Sequence, residues 1–176
     1  MFKRLIDEFK EPIYRKDLLH VIGYGLLYGL LFAVVFGIGV FFGEQINIYL
    51  GSFGIDFTTL FSLMIAILIS RKINNKHTSG HIAYRLISVL IWFITYWILN
   101  VSFIAFHSLV HFAFYDANWF LVYFPTYFNP IRSFGWIWDF WVYMGIQFDF
   151  LSLIMYLTRV LMFIFAIIIM YRNSSK

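Results

Sequence analysis

Between Leu18 and Gly43 the chain runs for 26 positions without a charged side chain. About 20 apolar residues in a helix cross the hydrocarbon core of a bilayer. In lipid a backbone has to satisfy its own N–H and C=O groups, which a helix does internally. A run of this kind commits the chain to a membrane fold. It follows a charged leader and lacks a small-x-small cleavage pattern, so it is expected to stay as an anchor and not be removed as a signal peptide. Composition agrees. Only 12% of residues are charged and 62% are hydrophobic, whereas a soluble domain carries about a quarter charged residues.

Further runs give an all-α, four-helix transmembrane bundle, with spans expected at about 18–43, 51–70, 86–110 and 150–171 in a single membrane domain of residues 1–176. The second is the least clean, because it has to admit Asp56 about five positions inside its outer boundary. The fourth has to admit Arg159. Residues 1–17 form a cytoplasmic or interfacial leader in which Phe2, Leu5, Ile6 and Phe9 share a helical face until Pro12 ends the pattern. Residues 113–148 are dense in aromatic side chains but broken by Pro125, Pro130, Arg132 and Asp139. Because Trp and Tyr favour the headgroup level, this stretch reads as an extracytoplasmic interfacial cap, with a re-entrant hairpin as the other arrangement.

Basic residues set the orientation. Lys3, Arg4, Lys10, Arg15 and Lys16 precede span one, Arg71, Lys72, Lys76 and Arg85 lie between spans two and three, and Arg172 and Lys176 follow span four. Eleven of the thirteen basic residues thus fall on one side, which the positive-inside rule makes cytoplasmic. Both termini belong there, in a plasma (inner) membrane. Plentiful Phe, Ile, Tyr and Asn beside few Pro point to an AT-rich, bacterial coding source. The absence of cysteine excludes disulfides, thiolate metal sites and cysteine nucleophiles.

Four features carry functional expectations. Gly25, Gly29, Ala33 and Gly37 recur every four residues on span one, and small residues let helix backbones approach closely in lipid. The stripe serves packing within the chain, a homo-oligomer or another membrane subunit. Arg159, deep in span four, needs a partner, since an unpaired charge there costs about 2.5–3.5 kcal/mol on insertion scales. Asp56 is the best acidic candidate, and an anionic substrate or lipid phosphate is the other. Polar stripes form the third feature: Tyr96, Asn100, His107 and His111 fall within an arc of about 60° on span three, and Asp149, Ser152, Tyr156 and Arg159 within about 80° on span four. With a looser stripe of Asp56, Thr59 and Ser62, they line an outward polar pocket if they converge.

The fourth feature is His107 and His111, an i, i+4 pair able to chelate a divalent metal, with Asp116 as a third ligand. No glutamate follows the first histidine, which removes the metalloprotease pattern. His77 and His81 read as solvated loop residues, in a basic loop able to attract anionic headgroups. No phosphate-binding loop, dinucleotide fingerprint or nucleophile elbow occurs, and the basic residues are explained by topology and not by nucleic acid. The leading expectation is a non-catalytic polytopic membrane protein without cofactor: an accessory, assembly or immunity-type subunit. A small carrier, channel or headgroup binder using Arg159 comes next. A metal-dependent membrane enzyme at His107 and His111 is third.

Overall fold

A computed structural model of the chain describes residues 9–50, 56–74, 76–77, 80–111, 128–134 and 150–173. Among the described residues all regular structure is helical, with no strand. The helices are α1 (Arg15–Leu50), α2 (Phe57–Asn74), α3 (Ile82–His111), the short α4 (Pro130–Ser133) and α5 (Phe150–Asn173). Three of them contain segments long and apolar enough to cross a membrane: Arg15–Glu44, Phe57–Asn74 and Ile82–Val110.

The bounds differ most from the sequence reading at two places. α1 continues past Gly43 through Glu44 to Leu50. α2 begins at Phe57, and Asp56 is its N-cap: Oδ1 accepts from Thr59 N–H at 3.0 Å and Oδ2 from the Thr59 hydroxyl at 2.6 Å. A capping carboxylate satisfies one of the orphan N–H groups at a helix start, so Asp56 stands at the end of this helix and not inside it. Residues 51–55 lie outside the described residues.

The most extensive interface joins α1 to α3, and α2 packs on both α1 and α5. The small-residue stripe is what lets α1 approach so closely. A Cβ at Gly25 would lie 2.7 Å from Ile91 Cδ1 and 3.0 Å from Ile73 Cδ1. One at Gly37 would lie 2.7 Å from Ser102 Cβ and 3.1 Å from the Phe103 backbone nitrogen. At Gly29 it would collide with the Thr95 hydroxyl, and Ala33 between them is fully buried. The stripe is therefore filled by helices of the same chain. Ile65, Ile69, Trp92, Tyr96, Leu99 and Ala166 continue the core, and Trp92 Nε1 donates to the Ser62 carbonyl at 3.1 Å. Leu31, Val35, Leu90, Leu161 and Phe165 point outward, as lipid-facing positions do when no water has to be met.

Only 128–134 of the aromatic stretch is described, and it does not sit at the end of the bundle. Phe134 stacks on Tyr96 at 5.2 Å and meets Phe93 at 5.6 Å and Phe163 at 6.2 Å. At 1.5 Å per residue, Phe93 is about 16 Å along α3 from Ile82 and Phe163 about 15 Å from the end of α5. This part of the chain lies beside the middle of both helices.

Candidate functional site

Asp56 serves two helices. Besides capping α2, its Oδ2 lies 2.8 Å from Arg159 Nε on α5. The approach has the distance of an ion pair without the directionality of a hydrogen bond. The two side chains keep 26% (Arg159) and 28% (Asp56) of their surface exposed, so the pair is not sealed in the core. Arg159 reaches it because a guanidinium can run along apolar surface and end at a polar level.

Tyr96 forms the floor beside this pair. Its ring is packed by Trp92, Phe134 and Phe163, and its hydroxyl is buried. The Arg159 and Asn100 side chains and the Asp56 carboxylate lie beside that hydroxyl. Asn100 Nδ2 donates to the Tyr96 carbonyl one turn back, at 2.9 Å. Tyr156 lies three residues before Arg159 on α5, which places it on the same side of the helix. The polar stripes of α2, α3 and α5 thus come together at Asp56, Thr59, Tyr96, Asn100 and Arg159. Asp149 and Asp116 lie outside the described residues, as do the side chains of Ser152 and His111.

Chemically this cluster is a matched pair of opposite charges with a phenol and an amide beside it. The Thr59 hydroxyl donates to the same carboxylate. Three other buried hydroxyls are spent on their own helices: Ser62 Oγ donates to the Thr59 carbonyl, Ser88 Oγ to that of Tyr84, and Thr95 Oγ1 to that of Ile91. His107, further out on α3, packs its ring on Phe41 at 5.8 Å and Phe103 at 6.0 Å. Among the described residues no group of three or more His, Cys, Asp or Glu is placed to hold a metal.

The opposite end of the bundle holds a second cluster. His77 and His81 are buried, at 2% and 8% exposure, and not solvated loop residues. His77 stacks on Tyr84 at 4.8 Å with the rings 9° from parallel, and His81 Nδ1 accepts from Ala83 N–H at 3.0 Å, capping α3. The segment ahead of α1 folds over them. Tyr14 N–H donates to the Tyr84 hydroxyl at 3.0 Å, Glu11 accepts from Gly80 N–H, and Phe9 meets His81 edge-on at 6.2 Å. Arg85 lies over the Tyr171 ring at 5.3 Å, which brings the end of α5 to the same place. Nothing in the spacing of E-P-I-Y foretold this clasp, because the contacts span about 70 residues in sequence. The chain matches no known family model, curated protein or solved structure.

Proposed function

We propose that this chain is a four-span plasma-membrane protein of bacterial type, with both termini cytoplasmic, that acts without catalysis as an accessory, assembly or immunity-type subunit. α5, with 24 residues and a length of about 36 Å, is long enough for a fourth crossing. The orientation draws support from the clasp, which gathers the pre-α1 segment, the α2–α3 turn and the end of α5 at one end of the bundle. Eleven of the thirteen basic residues fall in or next to those three segments.

The observation that carries the subunit reading is the position of residues 128–134. Phe134 is anchored at mid-height of α3 and α5, yet Phe128 and Ile131 are 52% and 67% exposed. Asn129 and Pro130 are exposed as well. Local bonds, Ile131 N–H to Asn129 Oδ1 and Phe134 N–H to the Ile131 carbonyl, shape this short turn of chain. Non-helical backbone at membrane depth is tolerated where protein or water covers it, not facing lipid. Another protein surface, seated over α4 between α3 and α5, meets that requirement. It does not need the small-residue stripe, which α2 and α3 already occupy.

The test is photo-crosslinking in the native membrane, with benzoylphenylalanine at Ile131 and, as a lipid-facing control, at Leu161, which is 55% exposed. The expected result is a protein adduct from Ile131 alone. Equal, lipid-only labelling at both positions would refute the reading.

A further inference from the structure

One side of α1 carries a row of rings at four-residue spacing. Tyr24 stacks on Tyr28 at 6.3 Å, Tyr28 on Phe32 at 6.0 Å, and Phe32 meets Phe36 at 6.3 Å. Phe36 then stacks on Phe61 of α2 at 5.1 Å, so the row runs along the seam between the two helices. All four α1 rings are half-buried and keep an open side. At the basic end of the bundle two cations are fixed to the row: Lys76 Nζ lies 4.0 Å from the Tyr24 ring centre and Lys72 Nζ 5.2 Å from that of Tyr28.

We infer that this seam is a binding site for an anionic phospholipid, its phosphate held by Lys72 and Lys76 and one acyl chain laid along the rings from Tyr24 to Phe36. An ammonium against an aromatic face spends one side on the ring and keeps N–H donors for an acceptor on the other. Neither lysine has a carboxylate partner among the described residues, and residues 71–85 contain no acid. Two fixed cations without a counter-ion match a phosphate. The length also fits: twelve residues from Tyr24 to Phe36 span about 18 Å, close to one leaflet of a hydrocarbon core about 30 Å thick. Anionic lipid is present at the cytoplasmic face, where basic clusters beside membrane helices recruit it.

The inference rests on the membrane reading but not on the subunit proposal. Insertion into nanodiscs is verified first, which separates its failure from failure of the membrane reading. The full chain is then reconstituted with equal phosphatidylglycerol and phosphatidylcholine, and the retained lipid is identified by native mass spectrometry. The wild type is expected to enrich phosphatidylglycerol. Lys72→Gln with Lys76→Gln should lower that enrichment by roughly tenfold or more, as expected for two cations near a lipid surface. Lys72→Arg with Lys76→Arg should preserve it. Lys10→Gln with Lys16→Gln removes the same charge from the same end and should leave it intact. Equal loss in this control pair, or no loss in the Lys72/Lys76 pair, overturns the site. Displacement of the lipid by an equal concentration of inorganic phosphate also overturns it, in favour of a simple anion site.

Discussion

The Asp56–Arg159 contact can be weighed by a double-mutant cycle, because one substitution separates its two jobs. Asp56→Asn keeps an N-cap acceptor of nearly equal rank while removing the charge that faces Arg159. Breaking a fully buried pair costs about 3–5 kcal/mol, and an exposed one is worth about 0–1 kcal/mol. With 26% and 28% of the two side chains exposed, the coupling should fall near 1–3 kcal/mol. Arg159→Met alone leaves the carboxylate without its cation but, if α5 is the proposed fourth span, also relieves the penalty for placing arginine in it, about 2.5–3.5 kcal/mol on insertion scales. Those single-site contributions cancel in the cycle. The assay is reversible unfolding in bicelles followed by tryptophan fluorescence, for the wild type, both single variants and the double variant. Asp56→Leu should cost about 1 kcal/mol more than Asp56→Asn, since it also removes the cap. A coupling inside the usual additive scatter of about 0.3–0.5 kcal/mol would show that α2 and α5 are not tied by this pair.

Glycines on α1 should divide sharply in the same assay. Gly37→Leu presses on the Phe103 backbone nitrogen, which cannot yield, and should destabilise by about 3 kcal/mol or more; Gly23→Ala meets nothing within 4 Å and should be neutral or stabilising by up to about 1 kcal/mol. Tyr84→Phe removes the acceptor for Tyr14 N–H, so exchange of the Tyr14 amide should quicken about fivefold, matching about 1 kcal/mol for a lost bond; unchanged exchange would mean that the clasp does not hold the segment. His107→Ala should lower stability through lost contact with Phe41 and Phe103 while leaving the metal content of the purified protein unchanged. Loss of one metal equivalent on that substitution would support metal chelation at His107.

The three membrane-length helices were legible because lipid leaves a chain few choices: long uncharged runs form helices whatever their β-branched content. The partnership of Asp56 with Arg159 was legible for a related reason, since the two residues that weaken the hydropathy signal had to be reconciled with it. What the spacing hid was the cap. D-F-T-T is a plain N-terminal signature once the helix is known to start at Phe57, but hydropathy alone draws the boundary at the last apolar residue and carries it back to Gly51. His77, His81 and Tyr84 were misread for the opposite reason. A polar, basic loop looks solvated when it is considered alone, and only the return of Phe9–Tyr14 from far along the sequence buries it.

These two readings bear on how the bundle holds together. α2 is the shortest of the three membrane-length helices, 18 residues or about 27 Å, slightly less than a hydrocarbon core about 30 Å thick. Each end of it meets polar groups that belong to other helices or to the turn that follows it. At its start Asp56 caps it and holds Arg159 of α5. Near its other end Lys72, and Lys76 just beyond, rest on tyrosines of α1. Between these ends Ser62 accepts the Trp92 indole of α3. Hydrophobic attraction between helices is absent in lipid, so polar contacts and close packing have to fix their register. A short helix fastened at both ends and in the middle fixes the height of its three neighbours at once. Substitution of Asp56 should therefore loosen a helix pair that does not include α2, which a disulfide-trapping scan across the α3–α5 seam would detect.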